Sequence, residues 1–367
     1  MAKNNSLWEL LWLFLKLGIT SFGGPAAHVA LMEDEFVRRR QWLTREHFLN
    51  LVGLTNIIPG PNSTELAIHI GYLRCGWRGL WLAGICFILP AFFAVTIIAH
   101  FYVKFSTLPE VSHFLVGVKA TVLAVVLQAL GRFTKSMFKM ETFQGFMVRE
   151  FWSHALNLSA LLIIGTCFIA HRLGVNEIPL FFFAGLFSFF FLRPKRSLHE
   201  LGSIFLIFLK VGSVLFGSGY VLLSFLRTEF ITQRGWITES QLLDAISVGQ
   251  FTPGPVFTTA SFIGYLLQGW TGATLATVGI FLPAFIFVII SISLQERLKN
   301  SEGFQNILHG VVAASIGLLA STLWTLGVET LLSPLSWALF LVGLVLLYKR
   351  TPSFVLILLG GLITLFV

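Results

Sequence analysis

The sequence predicts an all-α polytopic membrane protein: two homologous halves in an inverted-repeat arrangement, with about 10 spanning helices plus broken or re-entrant segments, about 10–12 membrane segments in all. Three observations predict it. First, 56% of the 367 residues are hydrophobic and only 11% charged, with 38 Phe and a mean hydropathy of +0.83. No soluble domain of this size hides that much apolar surface. Second, the apolar residues run continuously, without the alternation that a transmembrane barrel requires. Third, the second half of the chain repeats the first in register.

Taken in order, six apolar stretches precede the basic linker Arg193-Pro194-Lys195-Arg196: residues 7–32, 46–73, 77–103, 111–131, 156–172 and 178–192. Six more follow it, at 201–226, 240–267, 270–294, 304–326, 333–348 and 353–367. Each is close to the roughly 17–25 residues that a span needs. The linker divides the chain into repeats 1–198 and 199–367. The loop 132–155 carries Arg132, Lys135, Lys139, Glu141, Arg149 and Glu150 and is expected to be solvated at a membrane face. Met1 to Trp12 holds a single lysine, a Glu within the apolar run and no small-residue cleavage site. It reads as the start of the first membrane segment rather than a removed signal.

A shift of 194 superimposes the halves. It sets Phe14, Leu15, Lys16, Gly18, Phe22 and Gly23 on Phe208, Leu209, Lys210, Gly212, Phe216 and Gly217. It sets Glu35, Phe36, Arg40, Trp42 and Thr44 on Glu229, Phe230, Arg234, Trp236 and Thr238. After a one-residue slip, Gly71-Tyr72, Gly76-Trp77 and Leu89-Pro90-Ala91-Phe92 match Gly264-Tyr265, Gly269-Trp270 and Leu282-Pro283-Ala284-Phe285. Biased composition does not keep Gly, Pro, Trp and Lys aligned in this way, so the chain is a duplication.

Charge placement bears on how the copies are related. The excess of 25 basic over 17 acidic residues, net +8, lies mostly between apolar runs, as positive-inside bias expects. No basic patch interleaves with base-stacking aromatics, so nucleic acid is not an expected partner. In the second half Arg227, Arg234, Arg297, Lys299, Lys349 and Arg350 fall in alternate loops. They share one side only if 201–226 enters and returns on the same face. Five crossings then remain, and an odd number turns the second copy upside down relative to the first.

The unusual chemistry sits at Pro59-Gly60-Pro61 and its copy Pro253-Gly254-Pro255. Proline removes a ladder N–H and pushes its predecessor towards extended geometry, so each motif interrupts a helix within an apolar run. The helix restarting at Asn62-Ser63-Thr64, or at Val256-Phe257-Thr258, turns bare amides and a positive dipole end towards the gap, a setting that binds oxyanions. Thr55, Asn56, Gln250, Thr252, Thr258 and Thr259 are placed to complete the shell. A kink packed by its neighbours is the other reading of one isolated motif; duplication in matching places favours a binding site. Phe22-Gly23-Gly24 and Phe216-Gly217-Ser218 read either as unwound turns facing these gaps or as small-residue helix contacts.

Lys16 and Lys210 lie inside apolar runs, where a lysine costs about 2.5–3.5 kcal/mol. Each stands seven residues before its glycine break. The choice is between a charge that draws an anion inwards and a side chain that snorkels back to the interface. Glu35, Arg40 and Trp42, with their second copies, read as salt-bridged elbows anchored by an aromatic ring. His28, His69 and His100 have no counterparts and stay unassigned. Cys75, Cys86 and Cys167 lack metal-ligand spacing. With no Walker loop, Gly-x-Ser-x-Gly elbow or His-Glu-x-x-His helix, the chain is not expected to be an enzyme or to carry a cofactor or metal. A passive anion channel or a non-transport membrane subunit are the competing classes.

These motifs together, from Phe22-Gly23-Gly24-Pro25 through Pro59-Gly60-Pro61 to Leu89-Pro90-Ala91-Phe92 and their echoes, resemble the chromate ion transporter family in its long two-domain form. The resemblance runs essentially end to end. It implies a plasma-membrane protein that exports chromate, confers chromate resistance and has halves of opposite topology. Gly217-Ser218-Gly219 in place of Gly-Gly-Pro is a departure that makes the two lobes of a site unequal. Sulfate or another oxyanion of the same shape and charge is the alternative substrate. The expected partners are this oxyanion, the bilayer and, as a candidate assembly, a second copy of the chain.

Overall fold

The computed structural model describes residues 6–22, 25–55, 58–105, 108–138, 164–165, 168–169, 200–215, 222–299, 316–317, 320–328, 330–349, 351 and 353–365. The expected stretch 178–192, the basic linker and most of 156–172 and 304–319 lie outside the described residues. Every described element is helical: α1 (Leu7–Thr20), α2 (Pro25–Glu33), α3 (Arg45–Thr55), α4 (Asn62–Phe105), α5 (Pro109–Phe138), α6 (Glu200–Val214), α7 (Leu222–Leu226), α8 (Glu239–Phe251), α9 (Thr259–Lys299), α10 (Pro334–Tyr348) and α11 (Ser353–Leu365). Short π-helical turns at Asp34–Arg39 and Arg227–Thr232 extend α2 and α7.

α1 begins where the Ser6 hydroxyl accepts the Glu9 amide (3.3 Å). It buries Leu10, Phe14 and Leu17 on one stripe and leaves Trp8, Trp12, Lys16 and Ile19 outside. An apolar outer face of this kind belongs against lipid. Past the break at Ser21, the chain doubles back through α2. The guanidinium of Arg40 reaches Glu9 at the start of α1 and Glu35 in the π turn (2.6 Å). Both ends of this first hairpin therefore lie together.

α3 and the start of α4 form a second hairpin with Pro59-Gly60-Pro61 at its tip. Its ends also meet, since Arg74 lies 4.5 Å over the ring of Trp42, three residues before α3. α4 then reverses. Cys75 and Gly76 leave helical geometry, Gly76 with φ +59°. A Cβ on Gly71 would collide with the Gly79 carbonyl, twelve ångströms away in an unbroken helix of about 1.5 Å rise per residue. Limb 62–74 is thus packed antiparallel on limb 77–105 through glycine. α9 repeats the device at Gln268 and Gly269 (φ +58°), with Gly264 against Gly272 and the Ser261 and Thr277 hydroxyls 2.7 Å apart.

The second half copies these contacts. Trp42 N–H donates to Phe36 O at 2.8 Å, and Trp236 N–H to Phe230 O at 2.8 Å. Arg40 and Arg234 lie 5.4 and 5.6 Å over Trp42 and Trp236. Limb 77–105 connects two polar clusters. Its first end carries Trp77 against Tyr72 (5.1 Å), beside Arg74 and Trp42. Its last end carries His100 bonded to Tyr265 (2.7 Å) and Tyr102 donating to Asp244 (2.9 Å). α5 adds Lys119, 3.1 Å from Asp244, and packs along α10 and α11, where a Cβ on Gly117 would meet the Gly360 carbonyl.

The elbows differ in one respect that has an energetic consequence. Glu229 is 2% exposed and holds both Lys210 (2.7 Å) and Arg234 (2.6 Å), whereas Glu35 and its partners are more open. Removing one member of a buried cluster leaves uncompensated charge. Glu229→Gln is expected to cost about 3 kcal/mol and Glu35→Gln about 1 kcal/mol, read as thermal unfolding in detergent. Equal losses would contradict the unequal burial.

Candidate functional site

Each half contributes two hairpin tips, and the tips pair across the halves rather than within them. The Gly60 N–H donates to the carbonyl of Leu215 (2.7 Å), and the Gly254 N–H donates to the carbonyl of Ser21 (2.8 Å). Ser21 and Leu215 are counterparts under the 194 shift, as are Gly60 and Gly254, so the two bonds are one contact made twice. Both glycines have positive φ, +139° and +96°, which glycine adopts readily and side chains resist. A Cβ on Gly60 would lie 3.5 Å from Ala284, and one on Gly254 would press on Ala91 at 2.7 Å. Ala91 and Ala284 are themselves counterparts, each midway along its long limb. The junction therefore sits at the middle of the helical body.

Around it the polar groups are buried and partly unspent. His28, from α2, bonds the Ser21 carbonyl through Nε2 and the Ser63 hydroxyl through Nδ1, both at 3.1 Å. A carbonyl only accepts, so Nε2 carries the hydrogen, and in the neutral ring Nδ1 takes the Ser63 proton. Thr252 and Thr258 spend their hydroxyl hydrogens on Val248 O and Pro255 O. By contrast, Ser21 Oγ, Thr64 Oγ1, Gln250 Nε2 and both carboxyl oxygens of Glu65 are buried with no hydrogen-bond partner among the described residues. Such groups are costly in a dry interior and uncommon in native folds. They lie on the elements that form the tips.

Of the residues singled out in the sequence, Gly60, Pro61, Ser63, Thr64, Gln250, Thr252, Gly254, Pro255 and Thr258 are buried at the junction, with Pro59, Asn62 and Pro253 beside them, less deeply covered. Phe22, next to the tip at Ser21, is 37% exposed. Gly23, Gly24, Asn56, Phe216, Gly217 and Ser218 lie outside the described residues. The two lysines are not brought to the tips: Lys16 is on the exposed face of α1, and Lys210 is held by Glu229. Val126, Leu222, Leu223, Ile246, Gln250, Val256 and Thr259 line a small, partly open cavity of about 10 Å³. That is room for one water and not for a tetrahedral oxyanion.

Sequence reasoning saw Glu65 only as part of a helix start and left His28 unassigned. The signal for Glu65 was available, because an acidic residue four positions after a break in an apolar run is as costly as the lysines that drew attention. His28 carried no such signal. Only the fold brings it to Ser21 and Ser63.

Duplicated broken hairpins meeting at the centre of a long apolar helical body define a multi-pass membrane protein. The chain belongs to the chromate transporter family, whose model matches residues 8–189 and 202–365. It is a transporter-family protein and not an enzyme. Similar relatives include the "Probable chromate transport protein" of Synechococcus elongatus, 29% identical over 93% of this chain and 89% of the relative. The "Chromate transport protein" of Cupriavidus metallidurans is 28% identical over 95% and 89%, and that of Pseudomonas aeruginosa 29% identical over 86% and 79%. No solved structure matches the chain.

The reciprocal geometry yields a paired expectation. Gly60→Ala and Gly254→Ala each force a side chain into a positive-φ, crowded position and should cost about 1–3 kcal/mol, measured as thermal unfolding of the purified protein. Gly53→Ala, with open space around its Cβ in α3, should leave the melting temperature unchanged or raised. A Gly254 variant as stable as Gly53→Ala would show that the junction is not under this constraint.

Proposed function

We propose that this protein is a secondary transporter that exports chromate from the cytoplasm across the plasma membrane, conferring chromate resistance, by alternating access between two inverted halves. One observation carries the reading: the two inter-half hydrogen bonds, Gly60 N–H to Leu215 O and Gly254 N–H to Ser21 O. They are backbone contacts between the halves at the centre of the body, and a tetrahedral oxyanion offers the same two amides equivalent acceptors. Ser21, Thr64 and Gln250 hold unspent donors beside them. The helix starts at Ser63-Thr64 and Thr258 add dipole ends of favourable sign.

Inversion is supported by the clusters at the ends of limb 77–105. Tyr72 packs at its first end, and Tyr265, the counterpart of Tyr72, bonds His100 at its last. Equivalent residues at opposite ends of one spanning limb are what an upside-down copy produces. The hairpins of α1 with α2 and of α3 with limb 62–74 then enter and return on one face. The charge tally asked this only of 201–226, the counterpart of the first, and counted 46–73 as a span, so inversion rests on the Tyr72 and Tyr265 ends and not on the number of crossings. Their backbone breaks are satisfied by protein at mid-depth, which is the condition for irregular backbone in a membrane.

Direction follows from charge. A dianion leaving an inside-negative cell gains about 2.3 kcal/mol per charge for each 100 mV. A carrier for sulfate or a similar oxyanion is the second reading, because the junction offers shape and charge recognition without a group that distinguishes chromium from sulfur. Assembly as a homodimer belongs to the same proposal, with the exposed Trp8, Trp12 and Lys16 stripe as the face to test.

Oriented vesicles containing the purified protein test the function. Radiolabelled chromate flux should follow an imposed potential, run at carrier rates and fall when unlabelled chromate is added more than when sulfate is. Sulfate competing better than chromate would transfer the assignment to the second reading. Potential-independent flux would remove the electrical argument for export.

A further inference from the structure

We propose that Glu65 is a proton-binding residue of the junction, so that one proton crosses with each oxyanion. The inference rests on the oxyanion reading above and extends it to coupling. Glu65 lies in the first turn of α4, is 0% exposed, and has one carboxyl oxygen directly against the open side of Gly60, where a Cβ would have to displace it. Gly60 is the residue whose amide holds the other half. The carboxyl is thus at the contact that opens.

A carboxyl in such a place is accommodated by an ion pair, a metal or a proton. Among the described residues no basic group bonds to Glu65. Lys16 is on the outer face of α1, and Lys210 pairs with Glu229. From α2, His28 is engaged by Ser21 O and Ser63. On α4 itself, His69 lies one turn further on and bonds Ser291 of α9. From the other half, Leu215 and Ala284 lie at the tip, and neither titrates. Among the described residues no group of three His, Cys, Asp or Glu is placed to hold a metal ion. A proton is what fits.

The chemistry reinforces the geometry. An ionised Glu65 repels an arriving dianion, whereas the protonated carboxyl donates an O–H···O bond to it. Binding of the oxyanion and of the proton therefore assist one another. The proton joins the carboxylate from water on the side to which the junction opens and returns to water on the other side; no other bond forms or breaks. Thr259 occupies the equivalent position in the second half, so one proton and not two is expected per cycle. The pair then carries one net negative charge, which an inside-negative potential still drives outwards with half the force on the bare dianion, against the pull of an alkaline interior.

Proteoliposomes with the membrane potential clamped at zero and a pH gradient imposed test this. The wild-type protein should accumulate radiolabelled chromate on the alkaline side, by up to about tenfold per pH unit for one coupled proton. Glu65→Gln should lose that accumulation at whatever exchange rate it retains. Chromate takes up protons itself near neutral pH, a contribution common to both proteins that cancels between them. Equal accumulation by the two proteins overturns the role of Glu65 and leaves the oxyanion reading standing. Exchange by wild type without accumulation does the same, and needs no variant to fold. Absence of any chromate flux by wild type overturns the oxyanion reading and the coupling together.

Discussion

Two backbone hydrogen bonds organise this molecule. A helix interrupted by Pro-Gly-Pro inside an apolar body has amides and carbonyls that lipid cannot satisfy, at a cost of several kcal/mol for each group. The chain satisfies them across its own duplication, with the Gly60 amide on Leu215 and the Gly254 amide on Ser21. Each half supplies what the other lacks, so neither set of tips is complete alone. The glycines at Gly71 with Gly79 and Gly264 with Gly272 serve the same end, since the tight antiparallel limbs they permit place both tips against the midpoints Ala91 and Ala284.

The contact is symmetric in its backbone and asymmetric in its side chains. The first half brings Ser21, His28, Ser63 and Glu65 to the junction; their counterparts are Leu215, Leu222, Phe257 and Thr259. The second half contributes Gln250 and Thr252 in return. Duplication supplied a scaffold with two equivalent backbone contacts, and divergence placed the ionisable chemistry on one lobe. The proposed junction thereby carries Glu65 and His28 on one lobe only.

Much of this was legible in the sequence, and for physical reasons. The helical class followed from continuous apolar runs, and the register of the repeat followed from Gly, Pro and Trp, whose geometry tolerates little substitution. The elbow of Glu35, Arg40 and Trp42 was readable because charge and aromatic anchors recur at fixed spacing. What the sequence does not display is partnership between distant segments. That Gly60 meets Leu215 rather than a residue of its own half, or that Lys210 turns back to Glu229, depends on how hairpins nest. The reversal at Cys75 and Gly76 was legible, since the division between stretches 46–73 and 77–103 places a turn at 74–76, and the positive φ of Gly76 makes it.

A chromate-bound structure of the full chain in a lipid nanodisc tests the central claim most directly. It should show a tetrahedral density between the tips, within hydrogen-bond distance of the Gly60 and Gly254 amides, with at least one of the bonds to Leu215 and Ser21 broken. Both bonds intact, with the oxyanion bound elsewhere on the molecule, would contradict the account.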